Sequence, residues 1–225
     1  MNIAKIEALP EVKDATRVLQ GLVESGLSEP AIASGWTRSF LTGDATNDID
    51  VSYVGPVPYE EAQQILVDVL SDTGIDPQPW DIEGIWNAEA AYGVKRTVDN
   101  FLIYYVNSID SVYLAADGKL HDPTGYGFDD ANSKTLRINE YDRSDGRVPT
   151  PSEEVNVCLE ACRRIARFRW APTPESTARV AEGVSNWHDL EPADVDYFVG
   201  KLATKYVQGE RHNARAVYER FGWGF

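Results

Sequence analysis

The stretch FLTGDATNDIDVSYVG, residues 40–55, places two acids within a short β-branched run. Ile49 and Val51 predict a strand, and residues i and i+2 of a strand point to the same face. Asp48 and Asp50 therefore lie side by side. Two carboxylates that close raise each other's pKa unless a cation lies between them, and a divalent metal is the usual solution. The pattern predicts a metal site on this strand.

Composition and charge limit the class of protein. The chain has 225 residues, of which 43% are hydrophobic, enough for one large domain or two small ones. It has no apolar run of the roughly 18 residues that span a membrane, and its first residues lack the apolar segment of a signal peptide, so we expect a cytoplasmic protein with no membrane partner. The net charge of −15 disfavours long-range attraction of nucleic acid, which would then need a local basic patch. Cys158 and Cys162 are interpreted as small buried hydrophobic side chains.

Hydrophobic periodicity predicts an α/β part followed by a helical part. Helices are predicted over residues 5–25 and 59–74, with one or two helical turns after Gly35. Strands are predicted at AIAS (31–34), in the aspartate stretch, at WDIEGIW (80–86), at NFLIYYVNS (100–108) and in a hairpin that turns at Asp117-Gly118. Beyond about residue 140, a polar connector leads to a helix start at Ser152 and then to three helices and a last one near NARAVYERF. The predicted fold class is α+β.

The residues upstream of the acids point to a phosphate beside the metal. A predicted strand ends at Ser34, Gly35 breaks it and a helix begins, which brings backbone N–H groups toward an anion. Gly35 permits close backbone approach, and Arg38 can reach the same anion. Metal, phosphate cradle and arginine together indicate nucleotidyl transfer, in which two metals held by carboxylates stabilise the attacking and the leaving oxygen. The alternative is an acidic surface pair or turn without function.

Three blocks of sequence resemble one known family. SGWTRSFLTGDATNDIDV (34–51) resembles the Gly-Gly-x-Val-Arg-Asp…Asp-x-Asp signature of class II tRNA nucleotidyltransferases (CCA-adding enzymes) and bacterial poly(A) polymerases, within the DNA polymerase β-like superfamily. ADGKLHDPTGYGFDDANSKTLRI (116–138) is similar to the family's Asp-Gly…Asp-Pro-x-Gly-Gly…Asp-Leu…Leu-Arg segment, and RRIARFRWAPTPEST (163–177) resembles the Arg-Phe…Pro-Glu-Thr stretch of its helical neck. The resemblance implies a nucleotidyltransferase head with a mixed sheet over residues 1–142 and an all-helical neck over 143–225.

The resemblance also implies roles for individual residues. Asp48 and Asp50 match the metal-binding aspartates, Ser34 and Gly35 the phosphate loop, and Arg38 the arginine of the first motif.

Two further family motifs are only partly present. The Arg-Arg-Asp-Phe-Thr motif falls near KRTVDNF, where Asp99 matches the aspartate and Arg96 stands in for a missing arginine. The base-reading Glu-Asp-x-x-Arg motif meets Val157 where arginine belongs, and Glu160 with Arg164 restores an acid and a base four residues apart on one helix face.

Several residues keep two interpretations. One dense basic cluster could bind the phosphates of a primer or simply cover an amphipathic helix; it consists of Arg163, Arg164, Arg167 and Arg169. Glu83 is either a third metal carboxylate or an exposed strand residue. His121 is interpreted as structural, in a turn.

The implied activity is Mg²⁺-dependent, template-independent transfer of AMP or CMP from ATP or CTP to an RNA 3′-hydroxyl, with tRNA as the foremost acceptor. Because the chain resembles only a head and a neck, we expect the acceptor to be held by a short contact, a second copy of the chain or a partner protein. A protein or small-molecule acceptor, or a catalytically degenerate binding module, are the alternatives.

Overall fold

The computed structural model describes residues 2–44, 46, 48–84, 97–102, 106–140, 150–204, 219 and 222. Contacts divide the chain into two compact units, residues 1–132 with 139–141 and residues 133–138 with 142–225. In the first unit the elements are, in order, α1 (Ile3–Glu7), α2 (Pro10–Glu24), β1 (Ser28–Ala33), α3 (Gly35–Thr42), β2 (Ile49–Val54), α4 (Tyr59–Thr73), β3 (Trp80–Gly84), α5 (Val98–Leu102), β4 (Tyr113–Ala115), β5 (Leu120–His121) and α6 (Gly127–Ser133).

The first unit is built on a mixed five-stranded sheet. Its strand order is β3-β2-β1-β4-β5, with β2 and β3 parallel and the other neighbours antiparallel. Alternate residues of the strands form one fully buried layer, which consists of Ile32, Val51, Tyr53, Ile82 and Leu114. Helices α2 and α4 pack together and against the sheet. The predicted mixed sheet with helices is therefore confirmed.

The opposite face of the sheet is covered over part of its area by α5. Val98 and Leu102 of this helix pack on a small-residue strip of the strands, Ala31, Ala33 and Val54. Asp50 alternates with Val51 along β2 and so belongs to this second face. The candidate site lies on the face that α5 leaves partly uncovered.

Two predicted boundaries in this unit are wrong. The helix predicted over residues 5–25 is interrupted before Pro10, because the residue preceding a proline disfavours the α region and Leu9 is extended. The strand predicted at 100–108 is helical over 100–102, since α5 is fixed by tertiary contacts: the Glu29 carboxylate accepts a hydrogen bond from the Val98 N–H at 3.0 Å. Burial against the sheet here outweighs the β-branched and aromatic character of the sequence.

The second unit is helical. It contains β6 (Thr135–Leu136), α7 (Pro151–Phe168), β7 (Ala171–Pro172), α8 (Pro174–Trp187) and α9 (Pro192–Thr204), and β6 pairs in parallel with β7. Helix α7 begins at Pro151, one residue before the predicted Ser152, because its N-cap Thr150 and Glu153 form a reciprocal capping box. Cys158 and Cys162 are buried, as predicted. Most of the last predicted helix, 213–221, lies outside the described residues.

Among the described residues, no helix has the length and apolar character needed to cross a membrane.

Candidate active site

Four carboxylates lie along one end of β2 and β3. Asp50 is the register partner of Asp81 on the parallel neighbour strand, and Glu83 follows on the same face of β3. Asp48 lies on the loop that enters β2. The sequence-predicted pair is thus joined by two more acids, one of which, Glu83, was predicted.

Ionisation is disfavoured at two of these carboxylates, Asp50 and Glu83. The pKa of Asp50 is raised, first by burial and then by the charges of Asp48 and Asp81. The pKa of Glu83 is raised by burial and then by Asp50 and Asp81. Both side chains remain exposed to solvent, so the burial that raises their pKa values is only partial. Every cause acts against the charged form, so a cation at this edge would be stabilised.

Asp81 is the acid that sequence reasoning missed. It stands two residues before Glu83, the same i, i+2 spacing that identified Asp48 and Asp50. That spacing marked the two acids of β3 as neighbours, but only the parallel register between β2 and β3 places them beside Asp50.

The four carboxylates are oxygen donors of the kind that bind Mg²⁺. Within the described parts of the chain, no group of three or more His, Cys, Asp or Glu side chains is already arranged around a metal position. Carboxylate oxygens are nevertheless the ligands that Mg²⁺ takes from proteins, usually one or two of them. Asp48 and Asp50 are the ligands that the sequence predicts, and the charge of the ion would offset the repulsion that Asp50 feels from Asp48. A ligand role for Glu83 stays a prediction.

The turn between β1 and α3 is strained at its first residue. Ser34 has φ 58° and ψ −116°, a region that favours glycine, and its N–H donates to the Asp110 carbonyl at 3.2 Å. A Cβ at Gly35 would lie 3.1 Å from Thr46 Oγ1. Thr46 Oγ1 in turn accepts a hydrogen bond from the Asp48 N–H at 3.4 Å. The turn and the loop that carries Asp48 are therefore in contact.

Arg38 is buried and paired with a carboxylate. Its guanidinium donates to Asp110, and only 4% of the arginine is exposed. Asp110 also accepts a hydrogen bond from the Asn107 side chain at 2.7 Å. The sequence did not reveal this partner, because Asp110 falls between the strand predicted at 100–108 and the predicted hairpin, where no element or role is predicted. Contact between Arg38 and a triphosphate stays a prediction.

Asp99 lies in the first turn of α5, on the same side of the sheet as Asp50. Its carboxylate accepts a hydrogen bond from the Tyr113 hydroxyl at 2.8 Å. Burial, followed by the hydrogen bond to Asp99, raises the pKa of Tyr113, which therefore stays a protonated donor. His121 stacks on the Tyr113 ring at 5.1 Å and lies 3.0 Å from the Asp117 carboxylate. Arg96 lies outside the described residues.

If Asp99 binds the nucleotide, Tyr113→Phe will weaken that binding. The substitution removes a hydrogen bond to a charged acceptor, for which a loss of about 1.5 kcal/mol, roughly tenfold in KM for the triphosphate, is expected. The effect should be the same across neutral pH because the hydroxyl stays protonated. Steady-state kinetics with Tyr126→Phe, an exposed tyrosine, as the control will check this. An unchanged KM would leave Asp99 without a nucleotide role.

In the second unit, the predicted acid and base residues lie on α7. Glu160 forms an ion pair with Arg163 at 2.9 Å, one position before the predicted Arg164. Arg164 and Arg167 are half-buried and Arg169 is exposed at the helix end, in the left-handed conformation. Base reading by Glu160 and Arg164, and RNA binding by the cluster, stay predictions.

A second acid on α7 has an arginine partner that sequence reasoning missed. Glu154 receives two hydrogen bonds from Arg179 of α8, at 2.5 and 2.9 Å. The base-reading motif would place an arginine at position 157, where this chain has Val157. The arginine that pairs with Glu154 is instead Arg179, on the neighbouring helix. No spacing rule within one helix could have identified it.

Solved structures share this fold. A tRNA-processing enzyme in an apo form superposes with a TM-score of 0.67 at 15% identity over 95% of this chain and 57% of its own. A CCA-adding enzyme in complex with CTP gives 0.67 at 13% identity, over 99% of this chain and 55% of its own. A tRNA nucleotidyltransferase complexed with a primer tRNA and an incoming ATP analogue gives 0.64 at 15%, over 91% and 60%.

The first unit thus has the nucleotidyltransferase head fold of these enzymes, as the sequence predicted. The chain spans between half and two thirds of the length of these structures. No family model matches the chain, and no curated protein matches it by sequence.

Proposed function

We propose that this chain is a template-independent nucleotidyltransferase that transfers AMP or CMP from ATP or CTP to an RNA 3′-hydroxyl, with tRNA as the first candidate acceptor. One observation carries the proposal: the Ser34–Gly35 turn contacts the loop of Asp48 on a fold shared with CCA-adding enzymes. A phosphate-binding turn beside paired carboxylates is the arrangement that nucleotidyl transfer needs. The proposed domains are a head over 1–142 and a neck over 143–225, in a cytoplasmic protein.

Different residues of the proposed head bind the phosphates, the nucleotide and the metal. Backbone N–H groups of the Ser34–Gly35 turn bind the phosphates, and Asp99 orients the nucleotide. Asp48 and Asp50 would hold Mg²⁺ where the chain enters β2, with Asp81 in register beside Asp50. When bound, Mg²⁺ supplies the charge that stabilises the attacking and leaving oxygens.

The charge of the protein favours a second candidate acceptor. A net charge of −15 opposes the approach of RNA, whereas a protein side chain or a small molecule meets less repulsion. The chemistry at Asp48 and Asp50 would be unchanged. A catalytically degenerate binding module is the third candidate, and the retained pair of aspartates argues against it.

Labelling separates the three candidates. Purified protein is incubated with each α-labelled nucleoside triphosphate, Mg²⁺ and total RNA, with Asp50→Asn as the control. A labelled RNA band supports the proposed function. A labelled protein or small molecule without labelled RNA supports the second candidate, and no label at all supports the third.

RNA binding is expected to depend weakly on salt. If the arginine cluster on α7 contacts only the last phosphates of a 3′ end, two to four contacts give a slope of log affinity against log salt of about −1.5 to −3. Arg164 and Arg167 replaced together by Gln should lower RNA affinity and addition while triphosphate affinity is retained. Fluorescence anisotropy over a range of salt concentrations measures the slope.

The control for this prediction is the pair Lys13→Gln and Arg17→Gln. Both residues are exposed on α2, so the change in net charge is matched. Equal losses in the two double variants would show that overall charge, rather than the cluster on α7, governs RNA binding.

A further inference from the structure

A buried polar turn lies directly behind the Ser34–Gly35 turn. Residues 107–112 form this buried turn, and its polar side chains bond to one another and to neighbouring elements. Asn107 donates to the Asp110 carboxylate at 2.7 Å, and the Asp110 N–H donates back to the Asn107 side chain at 3.0 Å. Ser111 receives a hydrogen bond from Asn139 at 2.7 Å. Nothing in the proposed chemistry uses these residues.

Asp110 holds the Ser34–Gly35 turn at two points. Its backbone carbonyl accepts the Ser34 N–H at 3.2 Å, and its carboxylate binds Arg38, one helical turn further along α3. Thr37 adds a third tether, since its hydroxyl donates to the Val112 carbonyl at 2.8 Å. The strained residue and the first turn of α3 are therefore both fixed to the same buried segment.

The strain at Ser34 requires such a device. A non-glycine residue in this conformation persists only where the surrounding structure over-determines it. Without the tethers, the turn would relax to a conformation that serine favours, and the N–H groups at Ser34 and Gly35 would point elsewhere. Strain held by a buried ion pair, in a turn that contacts the loop of Asp48, is the pattern expected of a pre-organised site.

We propose that Asp110 is a positioning residue that, through Arg38 and the Ser34 N–H, holds the Ser34–Gly35 turn in the conformation that binds the triphosphate. This inference rests on the proposed function. It assigns the buried Arg38–Asp110 pair to shaping the turn instead of to direct contact with phosphate. When only a fraction of molecules has the competent turn, apparent affinity falls by that fraction while the saturated rate is unchanged.

A double-mutant cycle between Asp110→Asn and Ser34→Gly tests this role. Asp110→Asn should raise KM for the triphosphate about tenfold and leave kcat unchanged. Glycine adopts the observed conformation without strain, so the double variant should return to within about twofold of Ser34→Gly alone. Asp130→Asn is the matched control, because this buried carboxylate accepts a hydrogen bond from Ser108 of the same buried turn, whereas the Asp110 carboxylate accepts one from Arg38 of α3.

Calorimetry with a non-reactive triphosphate analogue and Mg²⁺ repeats the cycle without the reaction. Equal loss of affinity in both Ser34 backgrounds would overturn the positioning role. Wild-type binding and coupling without any transfer would reject the proposed reaction and keep the role, and a wild-type protein that binds no triphosphate would overturn both. Should Asp110→Asn fail to fold, Asn107→Ala is a milder alternative, because it removes only the hydrogen bond from Asn107 to the Asp110 carboxylate. It should shift KM in the same direction.

Discussion

Asp50→Asn is expected to abolish nucleotidyl transfer while leaving the fold as stable as before or more stable. Removing a preorganised electrostatic group from a site costs about 10²-fold or more in rate, and asparagine keeps almost the same volume. The stability gain follows from the crowding of Asp50 by Asp48 and Asp81. Loss of activity without loss of stability is the result expected for a residue that serves function at a cost to stability.

The pH dependence of stability follows from the raised pKa of Asp50. A carboxyl whose pKa is higher in the folded than in the unfolded protein stabilises the fold below its ordinary value, 3.8, and loses that contribution as the pH rises through the folded value. The charged form therefore lowers the free energy of unfolding at neutral pH. Asp50→Asn lacks this penalty, so its advantage over the wild type should grow as the pH rises from about 3.8 toward 7.

Urea unfolding at several pH values, in the presence of a chelator, measures this difference. Asp72→Asn is the control, because it removes one exposed carboxylate from α4 and matches the change in net charge. Added Mg²⁺ should raise the melting temperature of the wild type and not that of Asp50→Asn. Wild-type turnover by Asp50→Asn would rule out Asp50 as a metal ligand.

The paired aspartates could be predicted because their signal is local. The i, i+2 spacing is enough to bring Asp48, on the loop that enters β2, near Asp50 at the start of the strand. Asp81 was missed because its position depends on which strand lies beside β2 and in which register. The group of four carboxylates thus depends on strand pairing, because Asp81 and Glu83 come from β3, the parallel neighbour of β2.

The buried ion pair illustrates a different limit. Aspartate is a residue type common in turns, and charged side chains are almost never fully buried unless they are paired. The burial of Asp110 becomes intelligible only when Arg38, 72 positions earlier, is seen against it. Likewise, α5 is helical because Val98 and Leu102 pack on the sheet, a contact that no window of local sequence contains.

Gly35→Ala is expected to lower kcat by up to about 10²-fold without unfolding the protein. The new Cβ would lie 3.1 Å from Thr46 Oγ1, closer than side chains normally approach. Gly35 is the first residue of α3 and has no left-handed backbone, so alanine is tolerated there and stability should change by less than about 1 kcal/mol. The contact must instead be relieved by a movement of a few tenths of an ångström in the loop that carries Asp48. A full 1 Å displacement would cost about 10²-fold in rate, which sets the upper limit of the expected loss.

Thr46→Ala decides why Gly35 is needed. This substitution removes the oxygen that the new Cβ would meet, and the next nearest atom of Thr46 lies 3.9 Å away. If Gly35 serves to let the turn and the loop pack together, the double variant will recover the kcat of Thr46→Ala alone, because Asp48 returns to its position. If Gly35 serves instead to let the backbone approach phosphate, triphosphate affinity will fall in Gly35→Ala and will stay low in the double variant. Single-turnover kinetics and calorimetry on the same four proteins separate rate from affinity, and the packing geometry predicts recovery.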